Sequence, residues 1–188
     1  MKNACLFLLL FLIPAVVAAS QTPQPDPKLR ARLIEAINEA DSFQDRYDAE
    51  VWLLDMSTRL QKRMPDSTER LKLLRLIHRE AMRAKLTPEL VLAVIDVESR
   101  FDRFAISRVG AQGLMQIMPF WLKEIGHPDD NLIQAHTNLR LGCTILRYYL
   151  DKEKGDLRRA LGRYNGNIYS RDYADKVLNS LFKHWYKA

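Results

Sequence analysis

Residues 92–119 read LAVIDVESRFDRFAISRVGAQGLMQIMP, an apolar run that ends on Glu98-Ser99 and opens into a polar segment marked by Gly110 and Gly113. The run belongs to a helix. Thr87 is a good N-cap residue, and Pro88 suits the first helical position, where its missing N–H costs nothing. Glu89 puts a negative charge in the first turn, as the helix dipole favours. Leu90, Val91, Val94, Ile95 and Glu98 then share one face, with Phe101 just beyond and Asp96 pointing roughly the opposite way. Glu98 thus occupies a position that the pattern reserves for an apolar residue.

A carboxyl set against Val94, Ile95 and Phe101 is expected to be partly desolvated, which disfavours its charged form and raises its pKa. A general acid that is protonated near neutral pH needs that property. From this helix alone a second reading stays open: a Glu that ends its helix and turns to solvent, the commoner fate of this residue type. The motifs that follow turn the balance toward the acid.

Glu98-Ser99, Ser107 and Gly113-Leu114-Met115-Gln116-Ile117-Met118-Pro119 are followed by Asn138-Leu139-Arg140-Leu141-Gly142, by Tyr164-Asn165 and by Tyr173. In this order and at these separations the segment resembles the lytic transglycosylases of the soluble-transglycosylase type, a family with a goose-lysozyme-like fold. The likeness runs from about residue 86 to the C-terminal end. It implies cleavage of the β-1,4 bond between N-acetylmuramic acid and N-acetylglucosamine in peptidoglycan glycan strands, leaving a 1,6-anhydromuramic acid end. By the same resemblance Glu98 protonates the leaving oxygen and later acts as base on the 6-hydroxyl. Ser107 and Gln116 hold the substrate, including the N-acetyl group whose carbonyl assists departure, and Met118 shapes the sugar-binding wall. Tyr164 is expected to orient Glu98 by a hydrogen bond, Asn165 to contact the glycan or fix the loop, and Tyr173 to be a further active-site tyrosine. No metal or organic cofactor is implied.

Ordinary glycosidases flank the bond with two carboxylates, and substrate-assisted enzymes need only one. Asp102, Asp129 and Asp130 are the other acids in reach of the motif; Asp102 is expected to brace the loop after the helix, and Asp129-Asp130 to cap a turn. The chain departs from the family pattern at Arg163, where a small residue is usual, and at Gly166, which follows Asn165 directly. Arg163 either points away as a solvated helix residue, the reading adopted, or lines the cleft and meets anionic stem peptides. Two rival functions keep the fold: a goose-type muramidase that uses water, and a peptidoglycan-binding protein without activity.

Residues 1–19 have the pattern of a secretory signal peptide: Lys2, an apolar stretch from Leu6 to Val17 broken at Pro14, and small residues before Ser20. The stretch falls short of the roughly 20 residues that span a bilayer, so cleavage is expected over an uncleaved anchor. Cys5 sits at the start of the apolar core, where it does not suit a lipoprotein acceptor. The expectation is an exported, periplasmic protein. Cleavage would leave Cys143 as the single cysteine, unable to form an internal disulfide and read as a buried, inert thiol. His78, His127, His136 and His184 are scattered, and no Cys/His spacing suggests a metal site. The net charge of +6 favours an anionic partner; there is no nucleic-acid motif, and a wall bearing carboxylates accounts for the charge equally well.

Pro23, Pro25 and Pro27 make residues 20–27 a linker. Residues 28–64 read as a helical extension, one helix or two because Asp41-Ser42 can cap a new start. It can pack on the rest, dimerise or bind a protein partner, packing being the reading adopted; the oligomeric state is left open. The catalytic domain is expected over 65–188. There Asp66 or Ser67 caps a helix whose buried stripe is Leu71, Leu74, Ile77 and Met82. Further helices are expected at about 119–125, at about 138–152, from Asp156 to Tyr164, and after Ser170 with Tyr173, Val177, Leu181 and Trp185 inward. Phe120, Trp121, Tyr148 and Tyr149 could stack on sugars, but at helical spacing most are read as core. Little alternates with a period of two, so the expected fold is all-α.

Overall fold

The structure, a computed structural model, describes residues 46–127 and 129–186. Residues 1–19 and 20–27, read from the sequence as signal peptide and linker, and residues 28–45 of the expected extension lie outside the described residues. Helices α1 (Arg46–Leu60), α2 (Ser67–Arg83), α3 (Pro88–Glu98), α4 (Phe120–Ile125), α5 (Ala135–Lys152), α6 (Leu157–Tyr164) and α7 (Asp172–Ser180) are followed by a wider terminal π-helical turn, Leu181–Trp185. The only extended pairing among the described residues is a pair of isolated bridges, Ile106 to Gln112 and Gln112 to Ile117. The all-α expectation holds.

Helix α3 is the axis of the molecule. Every residue from Leu90 to Asp96 is buried, because α2, α7 and the terminal turn pack around it. A helix apolar all round is stable only when enclosed in this way. Thr87 takes the N-cap position without a side-chain bond, and Pro88 starts the helix. Helix α2 starts as expected, with Asp66 Oδ1 accepting from the backbone N–H of Thr68 (2.8 Å) and of Glu69 (2.9 Å).

The stripe of α2 continues from Ile77 to Ala81, whereas Met82 is 44% exposed. At about 100° per residue, Ala81 returns to within about 40° of Ile77, while Met82 lies about 140° away. In α1 the residues Ala49, Leu53, Met56 and Leu60 form a buried stripe in the same core, and the helix packs on α2 and on the terminal turn. Tyr47 and Val51 lie on its exposed side. The buried guanidinium of Arg70 secures the turn between α1 and α2, donating to Ser57 Oγ (2.9 Å) and to the carbonyl of Pro65 (3.0 Å). Packing of this part of the extension agrees with the reading adopted.

Phe120 and Tyr148 correct the core reading, being 52% and 54% exposed. Trp121 and Tyr149 are half-buried against the core. Helix α4 is a short helix on the surface with no fully buried residue, so it shields one ring and not both.

Candidate active site

Glu98 is the last residue of α3, and the chain breaks directly after it. Arg100 (φ 53°) and Phe101 (φ 70°) both take left-handed backbone conformations, which are uncommon for residues that bear a side chain. Phe101 is held by burial against the indole of Trp185, with ring centroids 5.4 Å apart. This break lets the Glu98 carboxyl emerge at a cleft although its helix is otherwise enclosed.

Two lobes meet at Glu98 and Asn165. One, about 270 Å³, is lined by Ser107, Met118 and Trp121 and backed by Ile117, Ile145 and Tyr164. The other, about 620 Å³, is polar, with Asp96, Arg100, Asp172 and Lys176 on its walls. Among the described residues Glu98 is the sole carboxylate on the first lobe.

Burial pushes the pKa of Glu98 up to about 7, and the hydrogen bond from Tyr173 opposes part of that rise. The Tyr173 hydroxyl donates to Glu98 Oε1 at 2.6 Å. Tyr164 was expected to play this part and does not: its hydroxyl donates to the carbonyl of Met115 at 2.8 Å. The reason is placement. Helix α7 packs directly on α3 and carries Tyr173 in its first turn, whereas Tyr164 ends α6 and meets the backbone of the loop. Desolvation and the nearby Glu98 push both phenols well above the ordinary tyrosine range, so they act as neutral donors.

The loop wall is held by side chains bonded to backbone. Buried Asn138 accepts from Met115 N–H (2.8 Å) and donates to the carbonyls of Gln112 (2.8 Å) and Leu132 (2.9 Å). Gln116, at φ 49°, donates to the carbonyls of Ala105 (3.1 Å) and Gly113 (2.9 Å). Ser99 Oγ donates to the Leu114 carbonyl at 2.8 Å, and Ser107 Oγ accepts from Ala111 N–H at 3.0 Å. Gly113 is required twice over: its φ is 74°, and a Cβ there would stand 2.4 Å from Asn138 Nδ2. A Cβ at Gly142 would stand 2.4 Å from Met115 Sδ.

Ser107, Gln116, Met118, Tyr164 and Asn165 are therefore brought to one cleft with Glu98, and Tyr173 meets Glu98 from the polar lobe. The acids that the sequence offers as a second carboxylate stand apart: Asp102 accepts from Phe104 N–H (2.9 Å), and Asp130 accepts from His127 N–H (2.7 Å) and pairs with Arg140. Arg163 faces away from both lobes, but it is an ion-pair partner of Glu153 and not a freely solvated residue. Burial pushes the Cys143 thiol up to about 12, consistent with an inert sulfur. No cluster of potential metal ligands occurs among the described residues. Trp121, for which the sequence allows both sugar stacking and core packing, lines the cleft while packing partly on the core; the sequence reading missed Asn138 as the organiser of the loop, and buried Asp96. Asp96 did leave a signal, a charge inside an otherwise apolar helix.

Residues 75–180 match the family described as Transglycosylase SLT domain. The chain is similar to a transglycosylase of Enterobacteria phage PRD1, 36% identical over 92 residues that make up 49% of this chain and 34% of the phage protein. Among solved structures it is similar to an inactive mutant of the lytic transglycosylase Slt from Pseudomonas aeruginosa. There the identity is 20% and the TM-score 0.52, over 85% of this chain and 37% of that one. The 70 kDa soluble lytic transglycosylase of Escherichia coli overlays at 19% identity and a TM-score of 0.46, covering 82% of this chain and 31% of that one. The chain spans about a third of the length of these relatives. The likeness to Slt extends to the lysozyme-like helical fold. The match at 75–180 covers more than half of the chain and contains Glu98 with all the cleft motifs, so this protein belongs to the transglycosylase SLT domain family.

Proposed function

We propose that the protein is a peptidoglycan lytic transglycosylase that cleaves the bond from N-acetylmuramic acid to N-acetylglucosamine with one catalytic carboxyl, Glu98. The observation that carries this reading is the Glu98 carboxyl itself: half-buried, protonated up to about pH 7, and alone among carboxylates on the Trp121 lobe. Of the acids on the polar lobe, Asp96 is engaged by Arg63 and Ser180, and Asp172 is exposed at the start of α7.

In the first step Glu98 gives its proton to the glycosidic oxygen as the bond to C1 breaks, and the acetamido carbonyl oxygen of the muramic acid closes on C1. In the second, the Glu98 carboxylate takes the proton of the 6-hydroxyl while O6 displaces that carbonyl from C1. The 1,6-anhydro ring forms, no water is consumed, and Glu98 ends protonated. Tyr173 steadies the carboxylate between the steps by its hydrogen bond. The Met118 and Trp121 side chains offer an apolar wall to a sugar face, and Ser107, Gln116 and Asn165 offer polar groups to its hydroxyl and acetamido substituents. The signal-like residues 1–19 support export to the periplasm, and the net charge of +6 suits an anionic wall as the partner there.

Mass spectrometry of sacculi treated with the protein or with its Glu98→Gln variant tests this reading. Products one water lighter than reducing muropeptides, absent with the variant, are expected. Reducing products would make the protein a muramidase, and binding without products a wall-binding protein.

A further inference from the structure

Asp96 lies two residues before Glu98 on α3, is only 9% exposed, and borders the polar lobe beside Glu98. Its carboxylate is held from outside the helix. Arg63, just past the end of α1, pairs with it at 2.9 Å, and Ser180 at the end of α7 donates to it at 2.8 Å. The Trp185 indole N–H in turn donates to Ser180 Oγ at 3.1 Å, and the Arg63 guanidinium lies 5.9 Å from the centre of the same indole. Trp185 also packs on Phe101, three residues after Glu98. Arg63 and Trp185 both fall outside residues 75–180, so two flanking elements grip the helix on either side of its functional residue.

We propose that Arg63 and Asp96 form a positioning pair for Glu98, in which Arg63 cancels the charge that Asp96 would otherwise present to the polar lobe, while Trp185 locks the pair and the Phe101 turn. A bare Asp96 would set a second negative charge beside Glu98 and a rival proton acceptor in the cleft wall. Paired, it leaves Glu98 as the carboxyl of α3 that is free to exchange a proton with substrate at the lobes. The flanking elements are then part of the catalytic unit. This inference rests on the reading of Glu98 as the acid.

Other charged and titratable groups facing Glu98 are Tyr164 of α6, Arg100, and Tyr173, Asp172 and Lys176 of α7. Helix α2 sends no charged group to either lobe. From the terminal turn, Lys183 and His184 stand on the outer side of Arg63. All of these stay unchanged among the variants below, so differences between variants isolate the pair.

The test follows the carboxyl of Glu98 by carbon NMR in the full chain at low salt, which requires no turnover. Asp96→Asn keeps the shape and strands the Arg63 cation, so the Glu98 midpoint is expected to fall by about half a pH unit. Arg63→Met strands the Asp96 charge and is expected to move the midpoint the other way. The Arg63→Met/Asp96→Asn double variant is neutral and should return close to the parent, while Arg63→Lys should hold the parent value. A merely structural pair would give no opposed shifts. An unmoved midpoint in Asp96→Asn, or a double variant that fails to restore it, overturns the proposal even if Arg63→Met does not fold. Failure of the catalytic reading would show separately, as absent anhydro products from the parent chain.

Discussion

The two lobes that meet at Glu98 are built by different physics. The polar lobe is made by helix packing: α7 lies on α3, and its wall residues follow from which helix faces touch. The Trp121 lobe is made by a segment with almost no regular structure, fixed instead by the amides of Asn138 and Gln116 and the hydroxyls of Ser99 and Tyr164 bonded to backbone. A packed helix loses shape gradually as apolar area is removed. A loop held by a few buried amide bonds loses it abruptly, because each lost partner leaves a desolvated backbone group unpaired. Glu98, the proposed acid, sits on the seam between them.

Glu98→Gln tests the seam itself and has the largest effect expected: glycan cleavage falls by about a thousandfold or more, read from product formation. The same variant reports the burial cost. With its folded pKa raised from 4.5 to about 7, Glu98 holds a proton in the folded chain that the unfolded chain releases. Stability of the parent therefore falls as pH rises through that window and levels off above it. Glu98→Gln should be the more stable protein at pH 8, by at most about 3 kcal/mol, with the gap closing toward pH 4.5. Parent cleavage should likewise decline as pH climbs past about 7, when the acid has lost its proton.

Asn138→Ala breaks the loop lobe and spares the other. It leaves Met115 N–H and the carbonyls of Gln112 and Leu132 without their partner, which should cost about 3 kcal/mol in denaturant unfolding. Asn138→Asp should rescue little, since a carboxylate cannot donate to those two carbonyls.

The two tyrosines sharpen the contrast. Tyr173→Phe removes a bond that favours the Glu98 carboxylate, so the alkaline decline of activity should move to higher pH, with a rate loss of about tenfold. Tyr164→Phe should leave that pH dependence in place and cost about 1 kcal/mol of stability through the lost bond to Met115. Equal pH shifts in both variants would contradict the assignment of Tyr173, and not Tyr164, as the partner of Glu98.

Much of the fold was legible because it is local. Asp66 and Asp156 cap the helices they precede, and Pro88 opens α3. The stripes of α2 and α7 follow a 3.6-residue period, with Met82 off the buried face of α2. The candidate acid was legible too, as a carboxylate at an apolar position, and the motifs at 107–118 and 164–165 do line its cleft. The tyrosine assignment was not, since Tyr164 and Tyr173 are equally eligible by residue type and are separated only by which helix lies on α3. Nor was the exposure of Phe120 and Tyr148, which depends on how little α4 and the outer face of α5 have to pack against.

By itself the sequence determined the helices, the buried setting of Glu98 and the order of the cleft motifs, because periodicity, capping and the desolvation of a misplaced carboxylate act within a few residues of chain. The tertiary structure alone decided that Tyr173 holds Glu98 across 75 residues, that Asn138 fastens the loop across 23, and that Arg63 meets Asp96 across 33. Those pairs form only when packing brings distant elements to within hydrogen-bonding distance, and no local preference encodes which donor arrives first.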